Sequence, residues 1–233
     1  MITKINRGIV LRLAKYLRVL HKLKSLGFVK VFSNNLGDAI GVTPAVVRKD
    51  FSTISIPGNK RGGYNIDLVV AELEKVLGKE EQQEVVVIGC GKIGKALMQF
   101  SEFNREGIAI TAGFDVNPEI INPTASIPIL PLESLQEFAL EHDIQVAVLA
   151  VPDNAATTVF EEVIRAGIGG VLNFTAVDLK CAKCDYENCP VKCVVQNVNI
   201  GLEIENLFYL VRMKNADILD TEESTVPVSQ QLV

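Results

Sequence analysis

The sequence predicts an α/β protein in two parts, a small basic helical module followed by a parallel, doubly wound sheet. Charge divides along the chain: residues 1–80 carry 14 Lys and Arg against 6 Asp and Glu, net +8, whereas residues 81–233 carry 9 against 22, net −13. Apolar residues recur at three- and four-residue spacings in the first part, while short β-branched runs alternate with helical patterns in the second. With 233 residues and 48% hydrophobic content, the chain can bury two cores. The polar stretch Gly78-Lys79-Glu80-Glu81-Gln82-Gln83 marks the break between them. Domains are therefore expected at 1–78 and 79–196, with a C-terminal helix over 197–214 and a flexible tail over 215–233.

In the first part, Ile9, Val10, Leu13, Leu17, Leu20 and Leu23 predict an amphipathic helix from Thr3 to Ser25. Ser33 can cap a short second helix that runs to Ile40 and stops at Gly41. Thr43-Pro44 then supplies an N-cap and a first-turn proline for a third helix reaching Ser52 or slightly beyond. Two short helices around a Gly41-Val42 turn have the punctuation of a helix-turn-helix. Ile54 to Ile66, with Lys60, Arg61 and a glycine-rich turn, predicts a hairpin wing after it. Arg48 and Lys49 sit on the presumed recognition helix, where Arg can engage guanine edges and Lys can meet phosphate. Asp50 is expected to be structural, orienting Arg48 or Lys60. A connecting helix covers Asp67 to Leu77. These features point to double-stranded DNA as the partner of the basic module, since cations paired with phosphates release counterions.

In the second part, Val85-Val86-Val87-Ile88 predicts a strand buried on both faces. The turn Gly89-Cys90-Gly91-Lys92-Ile93-Gly94 follows at once, and a helical run continues to Phe100. Strand, glycine turn and helix in that order form a dinucleotide-binding signature: one glycine for the turn, one for pyrophosphate approach, one for helix packing. A second strand, Ile108 to Phe114, ends at Asp115, whose carboxylate suits ribose hydroxyls and repels a 2′-phosphate, favouring NAD(H). Further strands are expected at 127–130, 146–151 and 170–174, with a helix over 155–166. Pro152 ends its strand where a Rossmann sheet meets the nicotinamide half of a dinucleotide. Cys90 inside the turn reads as a small filler. The helix expected over Val198 to Met213 is too apolar for a peripheral one and should pack on another subunit.

Four of the five cysteines, Cys181, Cys184, Cys189 and Cys193, fall in the order C-x2-C-x4-C-x3-C. Clustered thiolates in a chain expected to be cytoplasmic favour metal ligation over a disulfide framework. The short gaps and the Cys189-Pro190 step lean toward a [4Fe-4S] cluster, with zinc as the alternative. His21 and His142, the only histidines, lie far from the cysteines in sequence.

Taken in this order, Arg48-Lys49-Asp50-Phe51-Ser52, Gly62-Gly63-Tyr64, Gly89 to Leu97, Phe114-Asp115-Val116-Asn117-Pro118, Val151-Pro152 and Asn173-Phe174 resemble the Rex family of redox-sensing transcriptional repressors over residues 4 to 214. The resemblance implies a homodimer that binds palindromic operator DNA and releases it on binding NADH. It also implies that Val116 belongs to the cofactor site and that the C-terminal helices are exchanged between subunits. Three departures stand out. Phe100 and Asn199 occupy the positions where the family uses a tyrosine and an aspartate in its switch, and the cysteine cluster is an addition. Together they point to a repressor whose sensing is shared with, or transferred to, a metal centre.

The rival class is a small NAD-linked iron-sulfur oxidoreductase, but the sequence offers no plausible acid-base set and such an enzyme has no use for a winged helix. A CoA- or nucleotide-binding module without DNA contact would leave the +8 module unexplained. No apolar run is long enough to cross a membrane, so a cytoplasmic protein is expected.

Overall fold

The computed structural model describes residues 6–57, 62–180 and 193–223, with side chains through Lys214. It forms two compact units, Met1–Gln83 and Glu84–Val233.

The first unit opens with α1, Arg7–Ser25, which begins later than Thr3 because the Asn6 side chain caps it, accepting from the Ile9 N–H at 3.0 Å. The strand β1, Lys30–Val31, precedes α2, Ser33–Ile40, and α3, Pro44–Thr53. Gly41 ends α2 in the left-handed conformation, φ 75°, and the Thr43 hydroxyl caps α3 through the Val46 N–H. Ser33 is not the cap of α2. It is the first helical residue, and Asn35 instead reaches back to the Phe32 N–H at 3.3 Å.

The expected wing takes a different form. The strand β2, Tyr64–Asn65, pairs antiparallel with β1, Lys30 opposite Asn65 and Val31 opposite Tyr64. Ile54 and Ile56 cannot serve as its hairpin partner. Their N–H groups both donate to the Phe51 carbonyl to finish α3, and their side chains are buried in the core. The helix α4, Ile66–Val76, closes the unit, its first turn capped by Asn65. Leu13, Leu20, Leu36, Val47, Phe51 and Leu73 form a fully buried centre. Three aromatic rings cross it edge to face, Tyr16 on Phe51 at 5.4 Å and Phe51 on Tyr64 at 5.0 Å, linking α1, α3 and β2.

The second unit is built on a six-stranded sheet. In chain order it comprises β3, Gln83–Ile88; α5, Lys92–Met98; α6, Glu102–Arg105; β4, Ile108–Asp115; β5, Ile129–Pro131; α7, Leu135–Glu141; β6, Val146–Leu149; α8, Asp153–Arg165; β7, Gly170–Asn173; β8, Val194–Asn197; and α9, Ile200–Glu223. The strand order β5-β4-β3-β6-β7-β8 is that of a doubly wound dinucleotide-binding sheet, reversing between β3 and β6. The pairs β3–β6, β4–β5, β6–β7 and β7–β8 are all parallel.

Several boundaries differ from expectation, among them β5, which starts at Ile129 and not at 127, and α8, which starts at Asp153 and not at 155. Gln99 caps α5, so Phe100 lies outside the helix. The strand β6 stops at Leu149, two residues early, although the Ala150 N–H still donates to the Ile88 carbonyl at 2.8 Å. The strand β8 is additional, a short Val194-Val195-Gln196-Asn197 run that prolongs the sheet beyond β7. Last, α9 runs on to Glu223 through part of the expected tail. Extending a nucleated helix costs little per residue, and the chain meets no glycine or proline between Gly201 and Pro227.

Candidate functional site

The reversal of strand order places a crevice at the carboxyl ends of β3 and β6, and the glycine turn fills its floor. Gly89 has φ 90°, and a Cβ there would lie 2.5 Å from the Ala150 carbonyl oxygen and 2.8 Å from Val151 Cγ1. Only glycine lets the turn press against the end of β6. A Cβ at Gly94 would land on the Gly89 carbonyl, so the third glycine seats α5 on its own strand. Gly91 differs from both: a Cβ there would meet nothing within 4 Å. The open space over Gly91, at the N-cap of α5, leaves room for an anionic group to approach the backbone. Lys92 and Ile93 are exposed on the first turn.

Asp115 is attached to this turn directly. One carboxylate oxygen accepts from the Cys90 N–H at 2.7 Å and the other from the Asn117 N–H at 2.9 Å. A carboxylate has further lone pairs, so the same group can still accept from ribose hydroxyls. Cys90 points the other way, fully buried, its thiol donating to the Phe114 carbonyl at 3.6 Å. Burial, then the neighbouring Asp115 charge, push the thiol up to about 12, so Cys90 is a protonated packing group. The structure thus brings Gly89 to Gly94, Asp115 and Val151-Pro152 to one sheet edge, with Val116 exposed just beyond Asp115. Sequence reasoning missed the bond from Cys90 to Asp115, which joins positions 25 residues apart.

In the first unit, Arg48 and Lys49 are exposed on α3, and Arg48 donates to the Ser33 hydroxyl at 3.1 Å. Asp50 is structural, yet among the described residues its partners are on α1 and do not include Arg48. Arg12 of α1 grips it with two parallel bonds, Nε to Oδ2 at 2.7 Å and a terminal nitrogen to Oδ1 at 2.8 Å. The Tyr16 hydroxyl adds a third at 3.1 Å. This pairing raises the already high pKa of the guanidinium, and burial raises that of the Tyr16 phenol, with Asp50 adding to it. No sequence signal links residue 12 with residue 50. Lys60 and Arg61 lie outside the described residues.

Cys181, Cys184 and Cys189 also lie outside the described residues. Cys193 is half-buried against the core immediately before β8. In the parallel register Val194 lies level with Gly170, Val146 and Val85, whereas Gly89 follows Ile88, which is level with Leu149, Asn173 and Asn197. Cys193 therefore stands at the opposite edge of the sheet from the glycine turn, roughly 16 Å away along the strand direction. Among the described residues no group of three or more His, Cys, Asp or Glu is placed to hold a metal.

Phe100 is 53% exposed and stacks edge to face on Phe103, while Asn199 caps α9, accepting from the Leu202 N–H at 3.1 Å. Neither histidine belongs to the glycine turn: His21 faces Glu74 at 3.3 Å and His142 stacks on Phe138 at 4.1 Å. Among the described residues no helix is long and apolar enough to cross a membrane.

Residues 80–177 match a family model described as "CoA binding domain", and residues 4–52 match one described as "Putative DNA-binding protein N-terminus". The redox-sensing transcriptional repressor Rex of Clostridioides difficile (strain 630) is 32% identical over 209 residues, covering 89% of this chain and 96% of that protein. The Rex protein of Levilactobacillus brevis (strain ATCC 367) is 34% identical over 215 residues, covering 91% and 97%. Among solved structures, RSP in complex with β-NAD+ and operator DNA shares the fold with a TM-score of 0.80 at 23% identity, over 97% of this chain and 100% of that one. RSP in complex with β-NADH gives 0.75 at 25% identity, over 94% and 99%. The chain belongs to the Rex family of redox-sensing transcriptional repressors.

Proposed function

We propose that this Rex-family chain is a redox-sensing transcriptional repressor that binds palindromic operator DNA as a homodimer and responds to the NADH/NAD+ ratio. The observation that carries the reading is one chain's pairing of an exposed cationic helix-turn-helix with a glycine turn that leaves Gly91 open beside Asp115. The names of the two bacterial relatives and the ligands of RSP support the same pairing of DNA and nicotinamide nucleotide. The role is carried out in the cytoplasm, where the chromosome and the NADH pool meet.

On the DNA side, Arg48 reads a base edge, Thr43 and Lys49 address the backbone, and Lys60 and Arg61 hold phosphates from the wing. On the nucleotide side, Gly89, Cys90, Gly91, Lys92, Ile93 and Gly94 cradle the pyrophosphate through the backbone. Asp115 and Val116 receive the adenosine half, and Pro152 borders the nicotinamide. Residues 1–78 and 79–196 act as the DNA-binding and nucleotide-binding domains, and the helix from 197 forms the dimer contact. Ile200, Leu207, Phe208 and Leu210 of α9 are each more than half exposed in the single chain, which supports a subunit contact.

Cys181, Cys184, Cys189 and Cys193 hold a [4Fe-4S] cluster or a zinc ion, a reading that rests on their spacing. The position of Cys193 favours a centre that acts on the fold from the far sheet edge over one in electronic contact with nicotinamide. Anaerobic purification with iron, sulfide and zinc analysis tests it: about four iron and four sulfide per chain mean a cluster, one zinc a structural staple. Either metal-free protein with normal stability, or DNA affinity indifferent to cluster oxidation, ends the sensing role of the cysteines.

A further inference from the structure

Among the described residues Asp50 is the only buried charged side chain, 1% exposed, and it lies two positions after Arg48 on the same helix. At 100° per residue it points about 200° away from Arg48, into the unit while Arg48 and Lys49 face out. Its three bonds come from one neighbour, α1, through Arg12 and Tyr16. The other buried residues of α3, Val47 and Phe51, are apolar, and apart from the edge-to-face ring contacts of Phe51 the hydrophobic effect that packs them is non-directional. A two-pronged guanidinium-carboxylate pair, in contrast, fixes a plane.

We propose that the Arg12–Asp50–Tyr16 triad is a specificity-determining positioning device that sets the rotation of α3 about its own axis, and with it the angle at which Arg48 meets a base pair. This rests on the DNA-binding reading given above. Rotating α3 by about 20° would carry a guanidinium that stands about 7 Å off the axis through about 2 Å, enough to break a base-edge hydrogen bond. Phosphate contacts from Lys side chains tolerate such a shift, because a flexible point charge can follow its partner. A buried ion pair often adds little to stability compared with apolar residues of the same volume, and fixing one arrangement is its better-supported use. The Arg48 to Ser33 bond steadies the same side chain from α2.

The test uses the full chain and a duplex enriched by the wild-type protein from a random-sequence pool. Affinity for that duplex and for random DNA is measured over a salt series, beside the thermal midpoint. Arg12→Lys keeps the charge and loses the two-pronged geometry. Its expected effect is a fall of about tenfold in the selected-to-random affinity ratio, with an unchanged salt slope. Tyr16→Phe, which keeps the ring and removes one donor, should give a smaller fall in the same ratio. Leu73→Val, a core change in α4 outside the triad, should lower the midpoint and leave the ratio alone. A wild-type ratio in Arg12→Lys, or an equal fall in Leu73→Val at equal loss of stability, would overturn the proposal. Should Arg12→Lys fail to fold, the ratio for Tyr16→Phe decides. A wild-type chain that enriches no duplex rejects the DNA-binding reading itself, a result separate from either.

Discussion

The two units meet negatively charged partners by different means. The N-terminal unit presents cationic side chains, Arg48 and Lys49, on a helix held from behind by Arg12 and Tyr16 gripping a buried Asp50. The C-terminal unit carries an excess of acid and presents backbone instead, a glycine turn cleared of Cβ atoms and tied to Asp115. Side-chain recognition adapts and responds to salt, whereas backbone recognition is fixed by steric clearance and fails when a single methyl group is added. The difference predicts unequal sensitivities.

The largest effect should come from the backbone site. In Gly94→Ala the new methyl group collides with the Gly89 carbonyl, so α5 must shift, at about 1–3 kcal/mol of stability. NADH binding, followed by calorimetry, should be lost, and wild-type affinity would show that the turn does not cradle the nucleotide. Next comes Arg48→Ala, which should cost about 1–3 kcal/mol on the preferred duplex and little on random DNA. Lys60→Ala or Arg61→Ala should instead weaken all duplexes alike and reduce the salt slope by about one. Equal losses for Arg48→Ala on both DNAs would place it among the phosphate contacts.

Asp115→Ala removes both the proposed ribose acceptor and the partner of the Cys90 N–H, so it should narrow the NADH-over-NADPH preference and cost about 1–2 kcal/mol. An unaltered preference with lowered stability would leave Asp115 with the turn alone. The smallest effect concerns Cys90. Its thiol is raised from 9.0 to about 12 in the folded chain, so the unfolded chain loses its proton first as pH rises. The contribution of this group is therefore present below about pH 9 and fades toward 12. Iodoacetamide at pH 8 should leave Cys90 unmodified in the native protein by mass spectrometry. Rapid labelling there would show an open turn.

Local patterns carried most of this architecture. The β-branched run before Gly89, the Thr43-Pro44 cap and the glycine stop at Gly41 are signals within a few residues, and each element formed where its signal stood. What was not legible depends on partners distant in sequence. The wing strand at Tyr64 chose Lys30–Val31 over the nearer Ile54–Ile56, because the latter was needed to close α3. Asp50 was recognisable as structural from its position, but Arg12 lies 38 residues away with no periodic relation to it. Asp115 was expected to be a ribose acceptor from its place after β4, whereas its bond to the turn was not legible. Strand β8 was hidden because four residues beside a cysteine-rich stretch carry too little alternation to read.

A redox-sensing repressor requires its cationic unit to answer to a nucleotide bound by the other unit. The direct measurement is fluorescence anisotropy of a labelled, wild-type-selected duplex bound to the full chain, titrated with NADH, NAD+ and NADPH in turn. Release by NADH, with NAD+ unable to release the DNA and NADPH much weaker, is the predicted result. DNA that stays bound at NADH concentrations shown by calorimetry to saturate the chain would contradict it.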